Sequence, residues 1–174
     1  MSSLIPGILI IATFLAASAI MFGTFLSTST TQSESLRELG RIKREQAGSF
    51  IFISDASITL SVAGVSTDMT LLVDNEGSQP VANFSRMDVI VQYTDSSDNA
   101  VGQYLSYNPV SVGNNQWTIP SGGIDPDVLN PGMWDPDETL TVELRIALDM
   151  KVDTQAVVTI ATPRGASAQT TVSN

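Results

Sequence analysis

Residues 4–26 read LIPGILIIATFLAASAIMFGTFL and contain no charged side chain. The stretch is longer than the roughly 20 apolar residues that an α-helix needs to cross about 30 Å of hydrocarbon. At Leu26 it runs directly into the polar residues 27–48, which read STSTTQSESLRELGRIKREQAG. The sequence therefore predicts one long N-terminal helix, of which only the first part suits a membrane.

Two interpretations of the apolar stretch remain open. One is a secretory signal peptide, but the run exceeds the usual apolar core of about 7–15 residues. In addition, no Lys or Arg precedes it, and no A-x-A site followed by a break ends it. The other is a retained transmembrane or filament helix, which the pattern favours. Whether a positively charged leader was removed before Met1 stays open.

Small residues recur every four positions along this stretch, at Ala12 and Ala16 and again at Ala19, Gly23 and Ser27. Such spacing lets apolar helices approach one another backbone to backbone. It predicts packing against other copies of the same helix. The alternative is a lone membrane anchor that happens to use alanine.

The polar part of the helix has an apolar stripe of its own. Leu36, Leu39 and Ile42 lie three positions apart, which places them along one side of a helix. We expect the helix to end at Gly48, so that residues 4–47 form a rod about 65 Å long at 1.5 Å per residue. A filament predicts that the stripe is buried between neighbouring chains, whereas a lone anchor predicts that it tolerates polar changes.

From Phe50 onward the pattern changes to the alternation of apolar and polar residues that is typical of strands. The candidate strands are Phe50–Ser54, Ser57–Ala63, Asp68–Val73, Ser85–Tyr93, Ala100–Ser106, Gln116–Ile119, Thr139–Leu148, Gln155–Thr162 and Ala168–Val172. Turn signals separate many of them, at Asn75-Glu76-Gly77, Asp98-Asn99, Asn114-Asn115 and Asn130-Pro131-Gly132.

Two of the candidate strands alternate clearly. In the fourth, Met87, Val89 and Val91 share one face, and in the seventh the residues predicted to point one way are Leu140, Val142, Leu144, Ile146 and Leu148. Many short strands with turns between them predict an antiparallel sandwich. The predicted fold class is therefore α+β. A long hydrophobic α-helix occupies residues 1–48, and an Ig-like antiparallel β-sandwich, here called the head, occupies residues 49–174.

The charge of the chain is concentrated in the head. The whole chain of 174 residues carries a formal net charge of −10. Four bases and three acids up to Ser49 leave that part at +1, so the head carries −11. An acidic head argues against nucleic-acid binding, which needs a basic surface, and it suits a solvated surface that stays dispersed.

The composition removes most catalytic chemistry. The chain has no His and no Cys, which excludes Ser-His and Cys-His nucleophiles and disulfides, and deprives zinc of its usual ligands. The densest acidic stretch contains Asp125, Asp127, Asp135, Asp137 and Glu138. Its oxygens suit Ca²⁺, but Asp-Pro turn chemistry explains them better and no EF-hand spacing is present. We expect no enzymatic activity, no metal and no cofactor.

Three residues of the head invite separate interpretations. Asn83-Phe84-Ser85 is an N-glycosylation sequon, which makes Asn83 a candidate glycosylation site. Trp117 and Trp134 fit the sandwich core or a subunit contact better than ligand stacking.

The chain resembles archaellins, the archaeal flagellins, and related components of the archaellum. The resemblance rests on the uncharged helix start at residues 2–26, on residues 71–93 (LLVDNEGSQPVANFSRMDVIVQY) and on residues 129–146 (LNPGMWDPDETLTVELRI). That family joins a type IV pilin-like N-terminal helix to an Ig-like β-sandwich. Position 5 is Ile5, in place of the early Glu of bacterial type IV pilins, and archaellins also lack that Glu.

The resemblance implies a homo-oligomeric helical filament on the cell surface that serves swimming motility. It further implies that the chain waits in the membrane before assembly and works with archaellum assembly and motor machinery. Two alternatives stay open: a membrane-anchored minor component, stator-like, that binds the envelope, and the subunit of an adhesive pilus.

Overall fold

A single helix, α1, spans Leu4–Ala47 in the computed structural model, which describes residues 4–63 and 65–174. Its 44 residues give a length of about 66 Å. The helix ends one residue before Gly48, as the sequence predicts. Contacts divide the chain into two compact units, Met1–Arg44 and Glu45–Asn174.

The head consists of strands joined by turns. The strands are β1 (Ile51–Val62), β2 (Ser66–Asn75), β3 (Asp88–Thr94), β4 (Ala100–Tyr107), β5 (Gln116–Thr118), β6 (Ile124–Asp125), β7 (Thr139–Ile146), β8 (Gln155–Ala161) and β9 (Ser167–Ser173). A short 3₁₀-helix covers Phe84–Arg86. Predicted turn residues adopt the left-handed backbone that turns require, with φ of 67° at Asp98, 56° at Asn115 and 84° at Gly132.

The strands follow the order β1-β2-β7-β5-β4-β3-β8-β9, and β6 pairs with β7. All pairings are antiparallel except β4 with β5, which joins the two halves of the sheet through Ser106↔Gln116 and Tyr107↔Trp117. The halves β1-β2-β7 and β3-β8-β9 bury their inner faces in one core. The predicted α+β architecture, a long helix followed by an antiparallel β-sandwich, is confirmed.

The alternation read from the sequence sets which side chains form the core. Met87, Val89 and Val91 of the β3 region are buried, and so are the four apolar residues from Leu140 to Ile146 in β7. Because a strand points successive side chains to opposite faces, the polar residues between them stay at the surface. Core packing thus follows directly from the period of the sequence.

Both tryptophans belong to the core. Trp117 and Trp134 are completely buried. The indole N–H of Trp134 donates to the carbonyl of Glu138 at 2.8 Å, and the ring of Trp117 lies 4.7 Å from that of Tyr107, centroid to centroid. This settles the choice between core and subunit contact in favour of the core.

The structure corrects the first two candidate strands, Phe50–Ser54 and Ser57–Ala63, which form one continuous strand, β1. Its register against β2 shifts between Ile53 and Asp55 and again between Ile58 and Leu60. Each shift is a β-bulge, which inserts an unpaired residue and interrupts the period of two. In the sequence alone, this interruption of the alternation cannot be distinguished from the end of one strand and the start of another.

Two further predictions about the strands were wrong, and one short strand was missed. The fourth candidate begins too early, because residues 84–86 form the 3₁₀-helix. The two-residue strand β6 was missed, since so short a pairing leaves no periodic signal. Leu148 does not join the inner face of β7: the strand ends at Ile146, and Leu148 is 49% exposed, whereas Asp149 and Met150 turn inward.

Candidate assembly surface

The N-terminal helix exposes its apolar side chains all around its axis. The segment Gly7–Phe25 is long and apolar enough to cross a membrane, and none of it is buried within the chain. Its exposed large side chains are Ile8, Leu9, Ile10, Ile11, Phe14, Leu15, Ile20, Met21, Phe22 and Phe25. A helix that is apolar on every side is stable only inside a membrane or a protein core.

Three threonine hydroxyls of the helix are satisfied within it. Thr13 Oγ1 donates to the carbonyls of Leu9 and Ile10 at 3.0 and 2.9 Å. Thr24 Oγ1 donates to Met21 at 2.9 Å, and Thr28 Oγ1 donates to Thr24 at 2.9 Å. An unpaired hydroxyl is costly in an apolar environment. These hydrogen bonds therefore make the helix suitable for a membrane or a protein core.

The small residues predicted to allow close helix packing all lie at the surface of the chain. They are Ala12, Ala16, Ala19, Gly23 and Ser27. A Cβ placed on Gly23 would meet nothing within 4 Å. The fold of one chain therefore leaves open space beside Gly23, and close packing there remains a prediction about neighbouring chains.

The stripe of the polar part is also exposed. Leu36 and Leu39 are 69% and 57% exposed, and the side chain of Ile42 lies outside the described residues. Beside the stripe, Arg41 binds Glu38 through two hydrogen bonds of 2.6 and 3.0 Å. The hydrogen bond from Arg41 lowers the pKa of Glu38, and the charge of Arg41 adds to this effect.

The acidic stretch of the head uses its carboxylates to shape a loop. Asp135 accepts bonds of 2.9 to 3.0 Å from the backbone and side-chain nitrogens of Asn130. Glu138 accepts from the backbone of Asp135 at 2.8 Å, and Asp127 from that of Gly132 at 3.0 Å. Among the described residues, no group of three or more His, Cys, Asp or Glu could hold a metal ion. The stretch is turn chemistry of the kind that Asp-Pro pairs provide.

Asn83 is exposed just before the 3₁₀-helix. Its side-chain oxygen accepts a hydrogen bond from Ser85 Oγ at 2.8 Å, so the two polar residues of the sequon bind one another. An exposed position at the start of a short helix is accessible to modification. Glycosylation of Asn83 remains a prediction.

Reading the sequence missed two exposed aromatic residues at the start of the head. Phe50 and Phe52 are 55% and 51% exposed, while Ile51 and Ile53 between and beyond them are buried. The alternation of β1 would have shown this, because two phenylalanines on the face opposite two buried isoleucines must point outward.

The chain is similar to a known protein family and to solved structures. The profile of a family described as "Archaeal-type flagellin" matches residues 6–172. The archaeal flagellum of Methanospirillum hungatei strain JF1 shares the fold, with a TM-score of 0.59 and 17% identity over 99% of this chain and 93% of that chain. No curated protein sequence matches the chain.

Two further solved structures are similar only at a distance. One is the archaellum periplasmic stator protein FlaG from Sulfolobus acidocaldarius, with a TM-score of 0.44 and 14% identity over 67% of this chain and 97% of that chain. The other is the archaeal flagellin FlaB1 from Methanocaldococcus jannaschii, with a TM-score of 0.43 and 11% identity over 67% of this chain and 88% of that chain. Likenesses at this level carry no argument about function.

Proposed function

The chain belongs to the archaeal-type flagellin family, and on this premise we propose that it is the structural subunit of an extracellular archaellum-like filament for swimming motility. The role is assembly, not catalysis. The partner of each chain is a further copy of itself in a helical polymer. Membership of the family also confirms the resemblance noted in the sequence.

The exposed apolar surface of α1 carries the proposal. Side chains that face outward from Gly7 to Phe25 have no cover within the chain. Burying one large apolar side chain contributes about 1.5–3 kcal/mol before the cost of ordering the chains is subtracted. Bundling α1 with copies of itself buries many such side chains together, so that they stay out of water once the helix has left the membrane.

The remaining candidate residues have roles in the same bundle. Small side chains at Ala12, Ala16, Ala19, Gly23 and Ser27 let helices approach closely. The stripe of Leu36, Leu39 and Ile42 extends the contact beyond the part of the helix that a membrane could hold. Before assembly the apolar stretch resides in the membrane, and a separate motor supplies the rotation that the filament transmits.

The acidic head suits the filament surface. Its net charge of −11, read from the sequence, repels other filaments and keeps the polymers dispersed. Because repulsion between exposed charges is screened by salt over about 10 Å at 0.1 M, filaments should associate more readily at high salt.

Deleting the gene that encodes the chain from the producing cells tests the proposal. Cells without it should lose both the filament and swimming, and both should return when the chain is supplied again. Cells that keep filaments and swim without it would contradict the proposal. Cells that keep swimming but lose attachment to surfaces would favour the adhesive pilus instead.

A second candidate function is a membrane-anchored, stator-like component whose head binds the envelope. The observation in its favour is that Gly7–Phe25 matches the length of one membrane span. This candidate predicts that the chain remains in the membrane fraction. It also predicts that changing Leu36 or Leu39 to serine is harmless, because no neighbour would bury them.

A further inference from the structure

Most phenylalanines of this chain are exposed. The chain has six phenylalanines. Phe84 is partly buried, and the other five, Phe14, Phe22, Phe25, Phe50 and Phe52, are exposed. Three of the exposed rings belong to the helix. The remaining two lie at the start of the head. Because aromatic residues are enriched at protein interfaces, these two are candidates for an interface.

Phe50 and Phe52 form one outward-facing patch, here called the Phe50–Phe52 patch. Phe50 directly precedes β1 and Phe52 is its second residue, and both point away from Ile51 and Ile53, which are buried. β1 is an end strand of the sheet order. Among the described residues β1 pairs only with β2, and it also contacts β9 without strand pairing.

Acidic residues border the patch. Phe52 pairs across the sheet with Asp74 of β2, and residues paired in this way share a face. Glu76 is exposed just beyond the end of β2. The backbone holds this arrangement, because a Cβ on Gly77 would lie 2.7 Å from the nitrogen of Phe50 and the amide of Ser78 donates to Gly48 at 2.7 Å.

The polar part of α1 has the complementary properties. Leu36 and Leu39 expose apolar side chains. Arg37 and Lys43 expose basic ones on the same few turns of helix. Arg41 is paired with Glu38, so the three bases and one acid of residues 36–43 give a net charge of +2. An apolar stripe with a net positive charge thus matches an aromatic patch with acidic neighbours, both in hydrophobicity and in the sign of charge.

We infer that the Phe50–Phe52 patch of one subunit binds the Leu36–Lys43 segment of α1 from a second copy in the filament. The occupant is a second copy because the chain itself carries the segment whose apolar and basic side chains complement the patch. The inference rests on the proposed filament, since helices that bundle at its centre bring their polar parts close to neighbouring heads.

Cross-linking between two marked chains tests the contact. The chain contains no cysteine, so each introduced thiol is unique. Leu39→Cys chains and Phe52→Cys chains carrying different tags are produced in the same cells, and their sheared filaments are treated with a short bismaleimide. We expect heterodimers that contain both tags. The control pairs Leu39→Cys with Tyr104→Cys, an exposed residue on β4, and should give few heterodimers.

Two results would overturn the inference. The first is intact filaments without heterodimers above the control. The second is a cross-link that forms only within a single Leu39→Cys, Phe52→Cys double variant, which would show that each chain covers its own patch. Absence of filaments even from the wild-type chain would instead refute the filament proposal, so the two failures are distinguishable.

A charge exchange provides a second measurement that requires no cysteine. Lys43→Glu and Glu76→Lys each place like charges across the contact, and each should lower the yield of sheared filaments. The combined variant restores opposite charges and should recover most of the loss. If the double variant assembles no better than the worse single variant, the two segments do not meet.

Discussion

A bulky side chain at Gly23 should block assembly without harming the single chain. The space beside Gly23 is open within one chain, where a Cβ meets nothing within 4 Å. In addition, replacing Gly by Leu in a helix interior is favourable by roughly 0.5–1 kcal/mol. Gly23→Leu chains should therefore fold and insert at least as well as the wild-type chain.

In the filament the same change is unfavourable. If Gly23 marks a close approach between helices, inserting a Leu side chain costs about 1–3 kcal/mol at each contact. Since 1.4 kcal/mol is a factor of ten, the affinity for each added subunit falls by about 5- to 150-fold. Gly23→Ala adds a single methyl group and should have a smaller effect.

The assay compares the mass of sheared filaments per cell with the amount of the chain in the membrane. Gly7→Leu is the matched control, because Gly7 has equally open surroundings and lies about 160° around the helix from Gly23. We expect Gly23→Leu chains to accumulate in the membrane while Gly7→Leu chains assemble better. Normal filaments from Gly23→Leu cells would refute the close approach.

Three further changes test other parts of the molecule. Leu39→Ser should reduce filament yield while leaving the thermal stability of the head unchanged, whereas Leu60→Ser, at a similarly exposed position of β1, should leave assembly intact; equal yields would favour a lone anchor. Hydrogen bonds from Asn99 lower the pKa of Asp95 below its ordinary value of 3.8, so this carboxylate stabilises the head above that pH and loses its contribution as the pH falls through the folded pKa. Denaturation at a series of pH values should therefore show Asp95→Asn less stable than the wild type near neutrality and the difference shrinking below about pH 4; a constant difference would show that the charge is irrelevant. Asn83→Gln should remove any glycan at the sequon, which intact-mass spectrometry of sheared filaments detects, and an unchanged glycan mass would place the modification elsewhere.

Elements with an uninterrupted period could be predicted from the sequence. The helix ends at Ala47 beside the predicted Gly48, because the apolar and polar parts share one helical pattern. The inner faces of β3 and β7 follow from strict alternation, as in Val89, Val91 and Leu140, which are completely buried. In these segments local preference and packing agree. A hydrophobic period of two residues is therefore sufficient to predict a strand, and one of 3.6 residues is sufficient to predict a helix.

Elements that depend on distant residues could not be predicted. The bulges in β1 are set by its register with β2, and β6 exists only because Ile124 and Asp125 meet β7. Leu148 is outside because Met150 turns inward and its amide donates to Thr67 Oγ1 at 3.0 Å. Each of these features depends on a partner that is distant in the sequence. The local hydrophobic period therefore does not predict it.

The candidate assembly surface likewise has one part that the sequence predicts and one part that only the structure shows. The exposed apolar helix is evident from its composition alone, since no short segment of this kind can cover itself. The Phe50–Phe52 patch required the structure, because its acidic border comes from β2 and its position depends on the close approach at Gly77.

Electron microscopy and mass spectrometry of filaments sheared from the producing cells test the central claim most directly. If α1 forms the core of a filament, thin filaments should appear in negative stain and this chain should be their dominant protein. The contrary result is filaments made of another protein while this chain stays in the membrane fraction, which would establish it as an anchored component.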